Sequence, residues 1–425
     1  MIFNGKIVNR KIFNINLVCY LFFLTLCCAF NSSCSAVKLA QQTEPRIPEN
    51  KEIIEFPLTP TDNNFIYRPF PLHNGEINAL VASADGFGAY SAGDDGRVLY
   101  SRLADDKSQL TVKVVFEAKR PILALALSPD EQLLAIAQTS KLVIINLKTA
   151  EIVHSLTRVR GRVSALEWDP RGQLLAIGMA GGDVFVWSLK AGVFFAGGRD
   201  SFDDLERYIG GESPVVKIAF HPSARAFFVA EEAGVLSLWR LLRTEKEMGL
   251  RDDFAVIDQS TDLEKRRTFA KLPSAIGGMW MNAEGSYLYV AAEDGNIYSW
   301  KVRGLVAVPP VNFGKEGLLN ISGFKLEDRI DALAFSSRSQ RIKIARNLLP
   351  PQREPATNST NPTVYLENFW ETELMKTNTK LLAAGEGSLL WGAEPNNTIY
   401  YMDNIKLNNS NTNNDINNDK IDESR

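Results

Sequence analysis

A chain of 425 residues, 45% apolar and 23% charged, has the composition of a soluble globular protein and length for one large all-β domain or two ordinary domains. Its formal charge of −3 lacks the strong positive balance of a nucleic-acid binder. Loss of residues 1–36 would take away Lys6, Arg10 and Lys11 and no acid, leaving −6 on 389 residues, a surface that repels phosphate backbones and anionic lipid.

The amino terminus opens with those three basic residues, continues through an apolar run from Leu17 to Phe30, and ends in small residues at Cys34-Ser35-Ala36. That layout predicts a secretory signal peptide over 1–36. The 14-residue run would span about 21 Å as a helix, short of the roughly 30 Å hydrocarbon core. All four cysteines (Cys19, Cys27, Cys28 and Cys34) lie in this segment, so cleavage after Ala36 leaves no disulfide or thiolate in the mature chain. A bacterial lipoprotein signal is the alternative, with Cys27 and Cys34 as rival lipidation sites. Residues 37–62, with Pro45, Pro48, Pro57 and Pro60, read as an extended linker.

From residue 63 onward a core pattern returns at intervals of 41 to 61 residues. It opens at Ile77-Asn-Ala-Leu80, Ile122-Leu-Ala-Leu-Ala-Leu127, Val163-Ser-Ala-Leu-Glu-Trp168, Val215-Val-Lys-Ile-Ala-Phe220, Ile276-Gly-Gly-Met279 and Ile330-Asp-Ala-Leu-Ala-Phe335. In the first copy, Ile77–Val81 alternates with period two and Gly88–Ala92, Val98–Tyr100 and Val112–Phe116 follow as further strands, with turns at Asp85-Gly86 and Asp94-Asp95-Gly96. Four antiparallel strands followed by a new unit make the blade of a β-propeller.

These units resemble the WD40 repeat. His73, Ser128-Pro129-Asp130, Asp169-Pro170-Arg171-Gly172 and His221-Pro222 match parts of that repeat's first half, and Asp94-Asp95-Gly96 and Glu293-Asp294-Gly295 match its turn before the third strand. Trp187, Trp239 and Trp300 take the closing tryptophan position, with Ser188, Arg240 and Lys301 in place of the aspartate. The resemblance implies an all-β propeller over 63–403, a rigid disc whose faces dock other proteins.

Six openings are recognisable, and Lys380–Ala384, Leu389–Gly392 and Thr398–Met402 look like strands of a seventh blade. The asparagine-rich stretch 404–425, read as a disordered tail, supplies no fourth strand there. Asn64–Phe70 is therefore expected to complete that blade and close the propeller with an N-terminal strand. Three insertions interrupt the pattern: Gly197–Tyr208, read as following the third blade, 241–270, read as following the fourth, and 344–362.

The three histidines, His73, His154 and His221, lack metal-ligand spacing, and no phosphate-cradling glycine loop or nucleophile elbow occurs. No cofactor or metal is therefore expected. Asp94-Asp95, Glu231-Glu232 and Glu293-Asp294 fall at equivalent turns and form a candidate partner-binding collar suited to a basic protein. Phe194-Phe195 joins this set because two adjacent aromatics cannot both point inward from one strand. The expected function is a non-catalytic protein-interaction scaffold, exported to the periplasm or cell envelope of a bacterium and touching membrane only through its signal segment or a lipid anchor. The alternatives are a propeller hydrolase or lyase with an acidic channel mouth, and an envelope assembly factor that captures extended polypeptide at strand edges.

Overall fold

The computed structural model describes residues 53–58, 66–139, 141–157, 161–189, 206–208, 211, 213–223, 226–240, 266–325, 331–338, 341–346, 370–376, 380–384, 390–394 and 397–403. The expected signal segment, Phe194-Phe195 and the 404–425 tail lie outside these residues.

The described residues form strands joined by turns. β1 (Ile53–Pro57) and β2 (Ile66–Pro71) precede the repeats. The first sheet contains β3 (Ile77–Ala82), β4 (Gly88–Gly93), β5 (Arg97–Leu103) and β6 (Gln109–Glu117). The second contains β7 (Ile122–Leu127), β8 (Leu133–Gln138), β9 (Lys141–Asn146) and β10 (Glu151–Thr157). β11 (Val163–Trp168), β12 (Leu174–Met179), β13 (Val184–Ser188) and β14 (Glu206–Tyr208) make the third. The fourth is β15 (Val215–Phe220), β16 (Ala226–Glu231), β17 (Val235–Arg240) and β18 (Arg266–Lys271). The fifth is β19 (Ile276–Met281), β20 (Tyr287–Ala292), β21 (Asn296–Lys301) and β22 (Val306–Asn312). β23 (Leu318–Lys325), β24 (Asp331–Ser337), β25 (Arg341–Arg346) and β26 (Trp370–Lys376) make the sixth, and β27 (Leu381–Ala384), β28 (Leu390–Ala393) and β29 (Thr398–Asp403) belong to the seventh.

These are the seven antiparallel sheets of a β-propeller. β2 pairs with β29 from Ile66↔Asp403 to Pro71↔Thr398, so an N-terminal strand completes the seventh sheet. The core is divided into wedges between neighbouring sheets. One holds Leu142, Ile144, Leu166 and Trp187, between the second and third. Another holds Phe70, Ile77, Leu99, Trp391 and Tyr401 between the seventh sheet and the first. The Trp391 indole N–H also donates to the Gly86 carbonyl at 2.8 Å.

The first–second strand turn shows why the repeats use particular residues. Ser83, Ser128, Asp169 and Asn282 open it, and each accepts a hydrogen bond on its side-chain oxygen from the backbone N–H five residues on, at 2.6–2.9 Å. Three residues after each opener the backbone turns left-handed, at Gly86, Glu131, Gly172 and Gly285. Glycine suits that conformation in three copies; in the second, the Glu131 carboxylate accepts the Ala84 N–H of the first sheet.

Three expectations are corrected. Ile330–Phe335 does not open the sixth blade: β23 does, and β24 is the second strand. The alternating Asp331-Ala-Leu-Ala-Phe335 imitates an opening strand, but the register shift that marks the first strand of the other copies falls in β23, between Leu318 and Asn320. Residues 53–57, within the expected linker, form β1, a fifth strand on the first sheet. The insertions end sooner or begin later than expected, because β14, β18 and the end of β25 fall within the ranges assigned to them, and all three lie inside their blades, between third and fourth strands.

Candidate functional interface of the disc

Each of the first six sheets carries a bulge near the start of its innermost strand, skipping Asn78, Leu123, Ser164, Val216, Gly277 and Leu319 in the pairing. A bulge re-aims a side chain. Here it leaves all six half-buried beside buried neighbours, and Asn78, Leu123, Ser164, Val216 and Gly277 line a central channel of about 520 Å³. The inner strands of all seven sheets contribute to this channel, together with Pro129 and Pro170 from first–second strand turns. Among the described residues, its charged lining side chains are Glu167 and Lys217, paired at 3.2 Å.

Alternating strand direction gives the disc two faces. First–second and third–fourth connections lie on one; second–third hairpins and the links between sheets lie on the other. β13, β17 and β25 end, and β14, β18 and β26 begin, on the first face, so all three insertions are attached there. The acidic hairpins lie on the opposite face. The 241–265 connection is thus anchored, at Arg240 and Arg266, on the face opposite the hairpins of Asp94, Glu231 and Glu293.

The six carboxylates have different roles. Asp95 accepts His73 Nδ1 at 3.0 Å and the Asn74 and Arg97 N–H groups at 3.1 and 3.0 Å. Burial pushes its pKa up, but the His73 contact and the backbone donors outweigh that and hold it below the usual carboxylate range. Asp294 accepts the Tyr298 hydroxyl at 2.6 Å and the Asn296 N–H at 3.0 Å, which together outweigh its burial and lower its pKa too. Asp94 accepts Asn78 Nδ2 at 2.8 Å, and Glu293 pairs with Arg338. Glu231 is buried and Glu232 exposed. None of the six lines the channel. Sequence reasoning placed them correctly at equivalent turns, but could not see that Asn78, His73, Arg338 and Tyr298 engage four of them.

His73 Nε2 also meets Ser91 Oγ at 2.9 Å, giving Ser91-His73-Asp95 the connectivity of a nucleophilic triad. With Ser91 0% and His73 1% exposed, no substrate reaches the hydroxyl, and the trio acts as a brace between the sheet link and the second–third hairpin.

Comparison with known proteins agrees with this repeat geometry. The family model described as "Anaphase-promoting complex subunit 4 WD40 domain" matches residues 125–197. The chain carries WD40-type repeats. It is 31% identical over 125 residues to small ribosomal subunit protein RACK1 of Candida albicans, covering 28% of this chain and 38% of that protein. It is 30% identical over 128 residues to striatin-4 of Mus musculus, covering 29% of this chain and 15% of that protein. The matched part thus spans well under half of either relative. Within the WD40 pattern, Trp187, Trp239 and Trp300 are buried in third strands, six residues after Gly181, Ala233 and Asp294. Ser101 stands six after Asp95, and its Oγ is buried without a hydrogen-bond partner.

Proposed function

We propose that this WD40 propeller is an exported protein-interaction scaffold of the cell envelope whose working surface is the insertion face. The observation that carries the reading is the shared placement of the three insertions. Connections 190–205, 241–265 and 347–369 are anchored on one face, which also borders the Pro129 and Pro170 rim of the channel. Long connections on a rigid scaffold add contact area without disturbing the strands that carry them. The WD40 relationship supports a docking role; the N-terminal basic–apolar–small pattern supports export.

Replacing 241–265 by a short Gly-Ser linker tests the reading in a pull-down from envelope extract. The expected result is loss of the captured protein with an unchanged melting temperature, whereas Asp94→Asn with Glu232→Gln retains it. Capture that survives the linker replacement but fails in the acidic variant would move the site to the hairpin face. For export, mass spectrometry of the chain is expected to show a start beyond residue 26; chain retained in the cytoplasm and beginning at Met1 counts against it.

A further inference from the structure

The segment Ile53–Pro71 pairs with two different sheets. β2 is the outer strand that the seventh sheet otherwise lacks, whereas β1 is surplus, since the first sheet already has four strands. β1 lies outside β6 from Ile53↔Lys113 to Pro57↔Gln109, and the Leu58 N–H continues the ladder to the Ser108 carbonyl at 2.7 Å. Antiparallel pairs alternate between hydrogen-bonded and open. If Leu58 donates to β6, then Phe56 and Ile54 do as well, and Pro57 stands where its missing N–H costs no ladder bond.

The side chains of β1 make little use of the disc. Ile53 is 58% and Ile54 39% exposed, and Glu55 and Pro57 face solvent. Two residues anchor the segment. Phe56 packs on Phe70 with ring centroids 5.3 Å apart, and Leu58 is buried with Leu103 and Leu110. Phe70 stacks in turn near Tyr401 at 6.4 Å, so the aromatic seat is continuous with the joint between the seventh and first sheets. Backbone pairing with alternate side chains in pockets is how an added strand is recognised at a sheet edge. The tether through residues 59–65 is what makes this strand intramolecular.

We propose that the outer edge of β6 is a strand-acceptor site for an extended polypeptide carrying an aromatic residue two positions before an aliphatic one. Residues 53–58 are its resident occupant and are displaced when such a partner binds. The proposal rests on the scaffold reading only in taking the partner to be polypeptide, and it concerns the rim rather than the insertion face. A mostly exposed edge strand belongs to the part of a fold that opens locally without global unfolding. A tethered occupant lowers the apparent affinity of a competitor by the fraction of time the edge is free.

The test is fluorescence anisotropy with a fluorescein-labelled peptide of residues 51–60, Lys-Glu-Ile-Ile-Glu-Phe-Pro-Leu-Thr-Pro. It is titrated with the full mature chain and with full chains bearing Ile54→Pro or Phe56→Ala/Leu58→Ala. Either change weakens the resident strand and is expected to tighten peptide binding at least about tenfold. A peptide with both anchors changed to alanine is expected to bind no variant. Amide exchange along β6 is expected to quicken in the Ile54→Pro chain and slow again on adding peptide. Equal affinity for native and opened chains, or no binding to the opened chains, overturns the proposal. The 241–265 linker replacement is expected to leave this titration unchanged, so the two readings fail separately.

Discussion

His73, Ser91 and Asp95 tie the link before β3, strand β4 and the β4–β5 hairpin together through their side chains. The Asp95 carboxylate has its pKa held down in the fold, so the stability it contributes is present above the unfolded value of about 3.9 and is lost as pH falls through the lower folded value. Melting temperatures from pH 7 to pH 2 should therefore show an acid limb below about pH 4, and Asp95→Asn should make it shallower. An equally deep limb in that variant would place the acid sensitivity elsewhere. At neutral pH, Asp95→Ala should cost about 1–3 kcal/mol, because the buried His73 ring loses an acceptor.

At the scale of the strand, the repeated bulge sets the fold apart from seven plain hairpin stacks. Five of the six bulges turn their extra residue toward the channel. Asn78, for one, reaches the next blade, its Nδ2 donating to the Ile122 carbonyl at 3.0 Å. At Gly277 an added Cβ would collide with the Leu318 carbonyl oxygen of β23. Gly277→Ala should thus cost about 1–3 kcal/mol in urea unfolding, and half-buried Val216→Ala clearly less. Equal costs would show that the fifth–sixth sheet junction relaxes without strain. The bulge also separates β23 from β24, a distinction that alternation cannot make, because both strands alternate and only one carries the skipped residue.

Across the whole molecule, β2 joins the beginning of the repeat region to its last described strand. Removing residues 60–71 deletes six paired positions and the Phe70 side chain, which is 8% exposed. With about 1 kcal/mol net per hydrogen bond plus lost apolar burial, the deletion should cost several kcal/mol. It also bares β29, so the deleted chain should self-associate through that edge. Calorimetry and sedimentation check both outcomes; an unchanged melting temperature would show that the seventh sheet holds without its outer strand.

Much of the disc was legible in the residues because it is built from local signals. Period-two alternation, Asp-Gly turns and the openers Ser83, Ser128 and Asp169 act over five or six residues, and their recurrence pointed to the propeller and to seven blades. The need for a last outer strand followed from an edge left open beside Thr398–Met402, and Asn64–Phe70 was the apolar stretch still without a place. The tertiary structure decided what depends on neighbours distant in sequence. It showed that Asp95 braces His73, that Glu293 meets Arg338, that the strand ends anchoring the insertions lie on the face opposite the acidic hairpins, and that Ile53–Pro57 adds a fifth strand. Alternation specifies which residues share a side of one strand, but pairing with another sheet and burial against it arise only when the ring brings separate repeats together.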